Sequence, residues 1–140
     1  MDAIGFHCIV ELYDCPPHLL DNVDHIDAAI RAAVERSGAD LLQQISHKFS
    51  PQGVTALGLL SESHISIHTW PERGYAAVDC YTCGTRCKPE LACLHLAEAL
   101  EADRHAFVKF TRGGETVTQV NDLADVADAE PEPATPRAIA

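Results

Sequence analysis

Residues 64–82 alternate twice, and that alternation commits this part of the chain to a β-hairpin. In His64–Trp70, Ile65, Ile67 and Thr69 fall on one face of a strand, and His64, Ser66, His68 and Trp70 fall on the other. Pro71 has no N–H to pair, Gly74 permits a turn, and Tyr75–Thr82 reads as a second, antiparallel strand. The polar face of the first strand carries two imidazoles and an indole, which suits a pocket better than a solvated surface. Such a hairpin returns Cys83 towards Ser63. Periodicity alone also allows a plainer reading, in which His64 and His68 are ordinary strand histidines and Ser63 is a turn serine.

The flanking chain supplies elements that can cover one side of a sheet. Ile4–Leu12 alternates with Ile4, Phe6, Cys8, Val10 and Leu12 on one face, and Asp14-Cys15-Pro16-Pro17 breaks it. Asp21–Ser37 has a helical stripe of Val23, Ile26, Ile30, Ala33 and Val34, with Asp21 or Asn22 to cap its start and Gly38 to end it. Asp40–Phe49 and Val54–Leu60 read as strands around a Pro51-Gln52-Gly53 turn. Lys88–Asp103 reads as a second helix on Cys93, Leu96, Ala97 and Leu100, with Pro89 in its first turn. His105–Thr111 closes the series as a strand before Gly113-Gly114. This order predicts an α+β fold, a two-layer sandwich of an antiparallel sheet with two helices on one face. The other face must be polar or find a partner, which gives dimerisation a physical motive. From about Asn121 the chain turns to Ala, Pro and acid, so 121–140 is expected to be a disordered tail behind a single domain of 1–120.

Composition narrows the function. The net charge of −11 argues against a nucleic-acid partner, which would need clustered Lys and Arg. No apolar run approaches the roughly 20 residues of a membrane span. The first residues, MDAIGFHCIVEL, have no basic leader, so a cytoplasmic protein with reduced thiols is expected. Of the six cysteines, Cys80, Cys83, Cys87 and Cys93 are spaced C-x2-C-x3-C-x5-C, whereas structural zinc sites usually pair two knuckles across a longer loop. No metal is expected, and Cys8, Cys15, Cys80 and Cys93 read as small packing residues.

The run ESHISIHTWPERGYAAVDCYTCG resembles the signature of the prokaryotic S-adenosylmethionine decarboxylases, with weaker similarity from about Gly5 to about Gly113 through GFHCIVELYDC and HKFSPQGVTALGLL. Those enzymes carry a pyruvoyl group made by cutting their own chain, and they fold as a two-layer sandwich that dimerises. The resemblance implies that Ser63 attacks the carbonyl of Glu62 to form an ester, and that His68 then removes the Cα proton of Ser63. Elimination and hydrolysis would leave a β chain, Met1–Glu62, and an α chain, 63–140, that begins with the pyruvoyl group. Thr55 stands where relatives carry a hydroxyl that assists processing; it also reads as an ordinary strand threonine. A ketone of this kind gives a decarboxylase its electron sink through a Schiff base with the substrate amine. Cys83 is implied as the acid that returns a proton to the substrate Cα.

Substrate recognition is implied in the same way. Phe49 and Trp70 match aromatics that sandwich the adenine, contributed by different protomers of a homodimer with shared sites, and aromatic faces also attract a sulfonium. Glu72 matches an acid that binds the ribose hydroxyls. Each also has a structural reading: Trp70 as core filler, Phe49 as a sheet-end packer, Glu72 as a solvated turn residue. Lys48 and Arg73 depart from residues found in some relatives, an arginine and a tyrosine. The implied reaction converts S-adenosylmethionine into the aminopropyl donor of spermidine synthesis. The alternatives are a relative retuned to arginine or ornithine, and an unprocessed metal-binding or scaffold protein built on the cysteine run.

Overall fold

The computed structural model describes residues 4–120. The chain runs β1 (Gly5–Tyr13), α1 (Pro17–Leu20), α2 (Val23–Ser37), β2 (Leu41–Lys48), β3 (Val54–Leu60), β4 (Ser63–Trp70), a 3-10 turn (Pro71–Arg73), β5 (Tyr75–Cys83), α3 (Pro89–Ala99), β6 (Arg104–Arg112) and the short β7 (Thr118–Gln119). The seven strands form one sheet in the order β2-β3-β4-β5-β1-β6-β7, with every neighbour antiparallel. The α+β architecture is therefore as expected. β1 is inserted between β5 and β6, so the N-terminal strand lies in the middle of the sheet.

Alternation decides which side of each strand meets the helices. Cys8, Val10 and Leu12 of β1, Ile65 and Ile67 of β4, and Val78 and Cys80 of β5 are buried with Ile26, Ile30 and Ala33 of α2 and Leu96 of α3 in one core. Asn22 caps α2 by accepting the His25 N–H at 3.1 Å, and Gly38 ends it in the left-handed conformation at φ 83°. The second helix is shorter than Lys88–Asp103. It stops at Ala99, because the chain must turn to deliver Arg104 opposite Tyr13; the Asp103 N–H already bonds the Tyr13 carbonyl at 3.1 Å. α1, the 3-10 turn and β7 have too few residues to show a period, and the sequence reading missed them.

Among the described residues, the opposite face of the sheet carries no helix. Register places side chains there in rows: His47, Thr55, His68, Ala77, Glu11; then Ile45, Leu57, Ser66, Asp79, Ile9; then Gln43, Leu59, His64, Tyr81, His7. Ile45 is 69% exposed, Leu59 50% and Leu57 45%, so this face is partly apolar and open. Among the described residues no helix is long and apolar enough to cross a membrane.

Gly5 of β1 pairs with Cys83 of β5. A Cβ on Gly5 would stand 2.3 Å from the Thr82 carbonyl oxygen and 2.7 Å from the Cys83 Cα. Both are backbone atoms in the middle of a sheet and cannot swing aside. Gly5→Ala is expected to lower stability by about 1–3 kcal/mol, the usual range for overpacking. A denaturant titration matching the unsubstituted protein would contradict this.

Candidate active site

β4 carries a group of candidate side chains at each end. At its C-terminal end Phe49, Thr55, His68, Trp70 and Glu72 line one cavity of about 360 Å³, together with Gln52, Gly53 and Thr69. That volume lies in the range of ligand pockets, about 300–1,000 Å³. Thr55 faces His68 across the β3–β4 pair, and its hydroxyl lies 3.0 Å from His68 Nδ1. Trp70 is stacked on Tyr75 at 5.2 Å between ring centroids, so the indole has one covered face. The Tyr75 hydroxyl donates to Glu11; burial and then this hydrogen bond raise its pKa well above the usual phenol range. Phe49 is held by the turn before β3. Its N–H bonds the Gly53 carbonyl at 2.8 Å, and Asp21 accepts from the Gly53 N–H and from Lys48 Nζ, each at 2.8 Å. Those bonds, the Lys48 one foremost, hold the Asp21 carboxyl below its ordinary pKa. Phe49 and Trp70 line the same cavity of a single chain.

The other group sits where β4 begins. Ser63 pairs with Leu60 of β3 and Thr82 of β5, and the Cys83 N–H donates to the Glu62 carbonyl at 3.0 Å. The hairpin therefore does return Cys83 to the Glu62–Ser63 peptide. Cys83 is exposed, whereas Cys8, Cys15, Cys80, Cys87 and Cys93 are buried. Burial pushes the Cys15 thiol up to about 11 and the Cys80 and Cys87 thiols above their ordinary value. Cys93 is also raised, first by its hydrogen bond with Cys8 and then by burial. Such thiols behave as packing groups. The Glu62 side chain is buried and tied down: Arg86 Nη2 donates to its Oε2 at 2.8 Å and the Asp40 N–H to its Oε1 at 3.1 Å.

Three groups that the sequence reading left without a role form a cluster that reaches Ser63 through His64. Asp79 Oδ2 accepts from His64 Nε2 at 2.8 Å and from His7 Nε2 at 2.7 Å, and Asp79 Oδ1 accepts from the Ser66 hydroxyl. Burial raises the Asp79 pKa, but the bonds from Ser66, His64 and His7 outweigh it and leave the carboxyl below its ordinary value. His64 Nδ1 lies 3.2 Å from Ser63 Oγ. His7 and Asp79 are 72 residues apart in sequence and meet only because β1 lies beside β5. Their one sequence signal is that each occupies the polar side of an alternating strand. Among the described residues, these three side chains, and not the cysteine run, form the tight cluster of His, Cys, Asp and Glu.

The two groups do not meet within one chain. Ser63 and His68 are five residues apart on one strand, about 16 Å at the usual rise of about 3.3 Å per residue. The His68 ring is thus out of reach of its own chain's Ser63.

Comparison with known proteins adds the context for this geometry. A family model described as S-adenosylmethionine decarboxylase matches residues 6–113. An S-adenosylmethionine decarboxylase proenzyme of Synechococcus sp. (strain WH7803) is 52% identical over 128 residues, 91% of this chain and 98% of that protein. The proenzyme of Parasynechococcus marenigrum (strain WH8102) is 56% identical over 119 residues, 85% of this chain and 91% of that one. Among solved structures, the adenosylmethionine decarboxylase of Aquifex aeolicus superposes with a TM-score of 0.76 at 34% identity, over 85% of this chain and 100% of that chain.

Proposed function

The chain belongs to the S-adenosylmethionine decarboxylase family, and from that premise we propose that it is a proenzyme that cuts itself between Glu62 and Ser63 and then decarboxylates S-adenosylmethionine. Cutting divides the single domain, 1–120, into a β chain ending at Glu62 and an α chain starting at 63; the tail, 121–140, lies outside the described residues. The product is an aminopropyl donor suited to spermidine synthesis. The observation that carries the reading is the Glu62–Ser63 peptide itself. Its carbonyl takes the Cys83 N–H at 3.0 Å, and its serine hydroxyl is 3.2 Å from an imidazole nitrogen. The cytoplasm, where thiols stay reduced, is the compartment that suits an exposed working Cys83.

The pyruvoyl group derived from Ser63 supplies an electron sink in conjugation with the substrate's α-carbon. The residues present fit it: Cys83, Glu62 and Ser63 are already adjacent in the sheet. The chain's own side chains do the rest. Phe49 and Trp70 hold the adenine between them, and their faces attract the sulfonium by about 0.5–2 kcal/mol. Glu72 accepts hydrogen bonds from the ribose hydroxyls. Thr55 orients His68 through Nδ1, and His68 takes the Cα proton of residue 63 during processing. Cys83 Sγ holds the proton that the substrate Cα receives after carbon dioxide has left.

The 16 Å gap makes a second copy part of the site. The open face carries exposed Ile45, Leu57 and Leu59, and they line a hollow of about 430 Å³. A two-fold dimer that stacks these faces buries the apolar rows. It also lays the Ser63–Cys83 end of one chain over the His68–Trp70 end of the other.

Two experiments test the reading. Carbon dioxide release should be measured with S-adenosylmethionine, arginine and ornithine. Turnover of the sulfonium compound is expected, and turnover of arginine or ornithine alone would reject the substrate. For the shared site, Ser63→Ala and His68→Ala chains are expressed together. Each variant alone is expected to be inactive. A random mixture makes half the dimers mixed, with one of two sites whole in each, so about a quarter of wild-type activity should return. No recovery in purified mixed dimers would show that each chain builds its own site.

A further inference from the structure

We propose that His64 is the base that starts the self-cleavage, taking the Ser63 hydroxyl proton at Nδ1 while Asp79 holds the ring through Nε2 and the Cys83 N–H stabilises the oxyanion at Glu62. The proposal rests on the self-processing reading above and adds a division of labour to it. His68 acts at the Cα of residue 63, on the elimination, whereas His64 acts on the preceding acyl shift.

The proton positions follow from the partners. An ionised carboxylate only accepts, so both Nε2 atoms that meet Asp79 Oδ2 must carry hydrogens. In a neutral ring the other nitrogen, Nδ1, is then bare. His7 provides an internal check, because its Nδ1 faces Arg112 Nη1 at 3.1 Å and a guanidinium can only donate. On His64 the bare Nδ1 faces Ser63 Oγ at 3.2 Å, within reach of a proton transfer that shortens as the bond forms.

The step balances without a co-reactant. The Ser63 O–H proton passes to His64 Nδ1, and Oγ bonds to the Glu62 carbonyl carbon. The negative charge that collects on the Glu62 oxygen lies against the Cys83 N–H, 3.0 Å away before reaction. The Glu62–Ser63 C–N bond then breaks, and the imidazolium returns its proton to the Ser63 nitrogen. Amide has become ester plus amine. Arg86 and the Asp40 N–H keep the Glu62 residue fixed throughout. Nucleophile, base and orienting carboxylate follow the logic of a Ser-His-Asp set, with the ring nitrogens exchanged.

Neutral hydroxylamine cuts esters and spares amides, so it separates the acyl shift from the later elimination. Freshly made His68→Ala is expected to hold the ester and to split between 62 and 63 when treated. His64→Ala is expected to stay uncut and resist the reagent, with cutting slowed about 100-fold or more. His64→Gln, which can accept a hydrogen bond but not take a proton, should do the same, and it serves in place of the alanine variant if that fails to fold. Asp79→Ala removes the acceptor that keeps the ring proton on Nε2 and the ring in place, and it should also leave a hydroxylamine-resistant chain whose far-ultraviolet dichroism matches the wild type. Wild-type cutting rates in folded His64→Gln, or an ester that accumulates in it, would overturn the proposal. Wild-type cutting in folded Asp79→Ala would remove Asp79 from it. If the unsubstituted protein is itself active and uncut, the broader reading falls and this one with it. If it cuts and only the His64 variants behave as wild type, the failure is confined to His64.

Discussion

Ser63→Ala yields a single uncut polypeptide that releases no carbon dioxide from S-adenosylmethionine; this is the largest effect expected of any one substitution. Alanine has no Oγ, so no ester can form at Glu62 and no ketone can follow. No standard side chain offers another electron sink, so the loss should span the whole rate enhancement, which in enzymes runs to at least about 10⁶-fold. The fold should survive. Ser63 is half-buried and its hydroxyl has His64 as its near partner, while the backbone pairing with Leu60 and Thr82 needs no side chain. Intact mass and activity on one preparation decide the matter. An active Ser63→Ala protein would end the assignment of the catalytic group to this position.

Cys83→Ala should separate the two halves of the chemistry. The contact that Cys83 makes with the scissile carbonyl is through its backbone N–H, which alanine keeps. Its thiol is exposed, so truncation leaves no cavity in the core. The variant should therefore cut itself at close to the wild-type rate. Turnover should then fall by about 10²–10⁴-fold, the usual worth of a positioned acid. Mass spectrometry reads the first expectation and carbon dioxide release the second. Full turnover by the cut variant would take the proton-donor role away from Cys83. Failure to cut would mean that the thiol, not only the N–H, serves the peptide bond.

The strands and the long helix were legible because burial on one side writes a period into the sequence. β3 matches Val54–Leu60 residue for residue, and β1, β4 and β5 start or end within one residue of their alternating runs. The cap residues Asn22 and Gly38 marked both ends of α2 through local chemistry. The end of α3 was not legible, since Leu100–Asp103 continue a helical pattern and only the demand of β6 for its place beside β1 stops them. His68 and Cys83 stood out through a resemblance carried by one continuous run. His7 and Asp79 did not, because nothing within a few residues of either marks it as different from any polar strand position.

Local pattern was thus enough for the α+β class and for the hairpin that returns Cys83 to Ser63. These depend on neighbours close in the chain, where a period of two or a capping side chain acts directly. Strand order and register settled the remainder: β1 beside β5, the His7–Asp79–His64 contact, and the distance that keeps His68 from its own Ser63. Such contacts join residues up to 72 positions apart. They are chosen by how the whole sheet packs on its helices, and no short stretch of sequence carries that information.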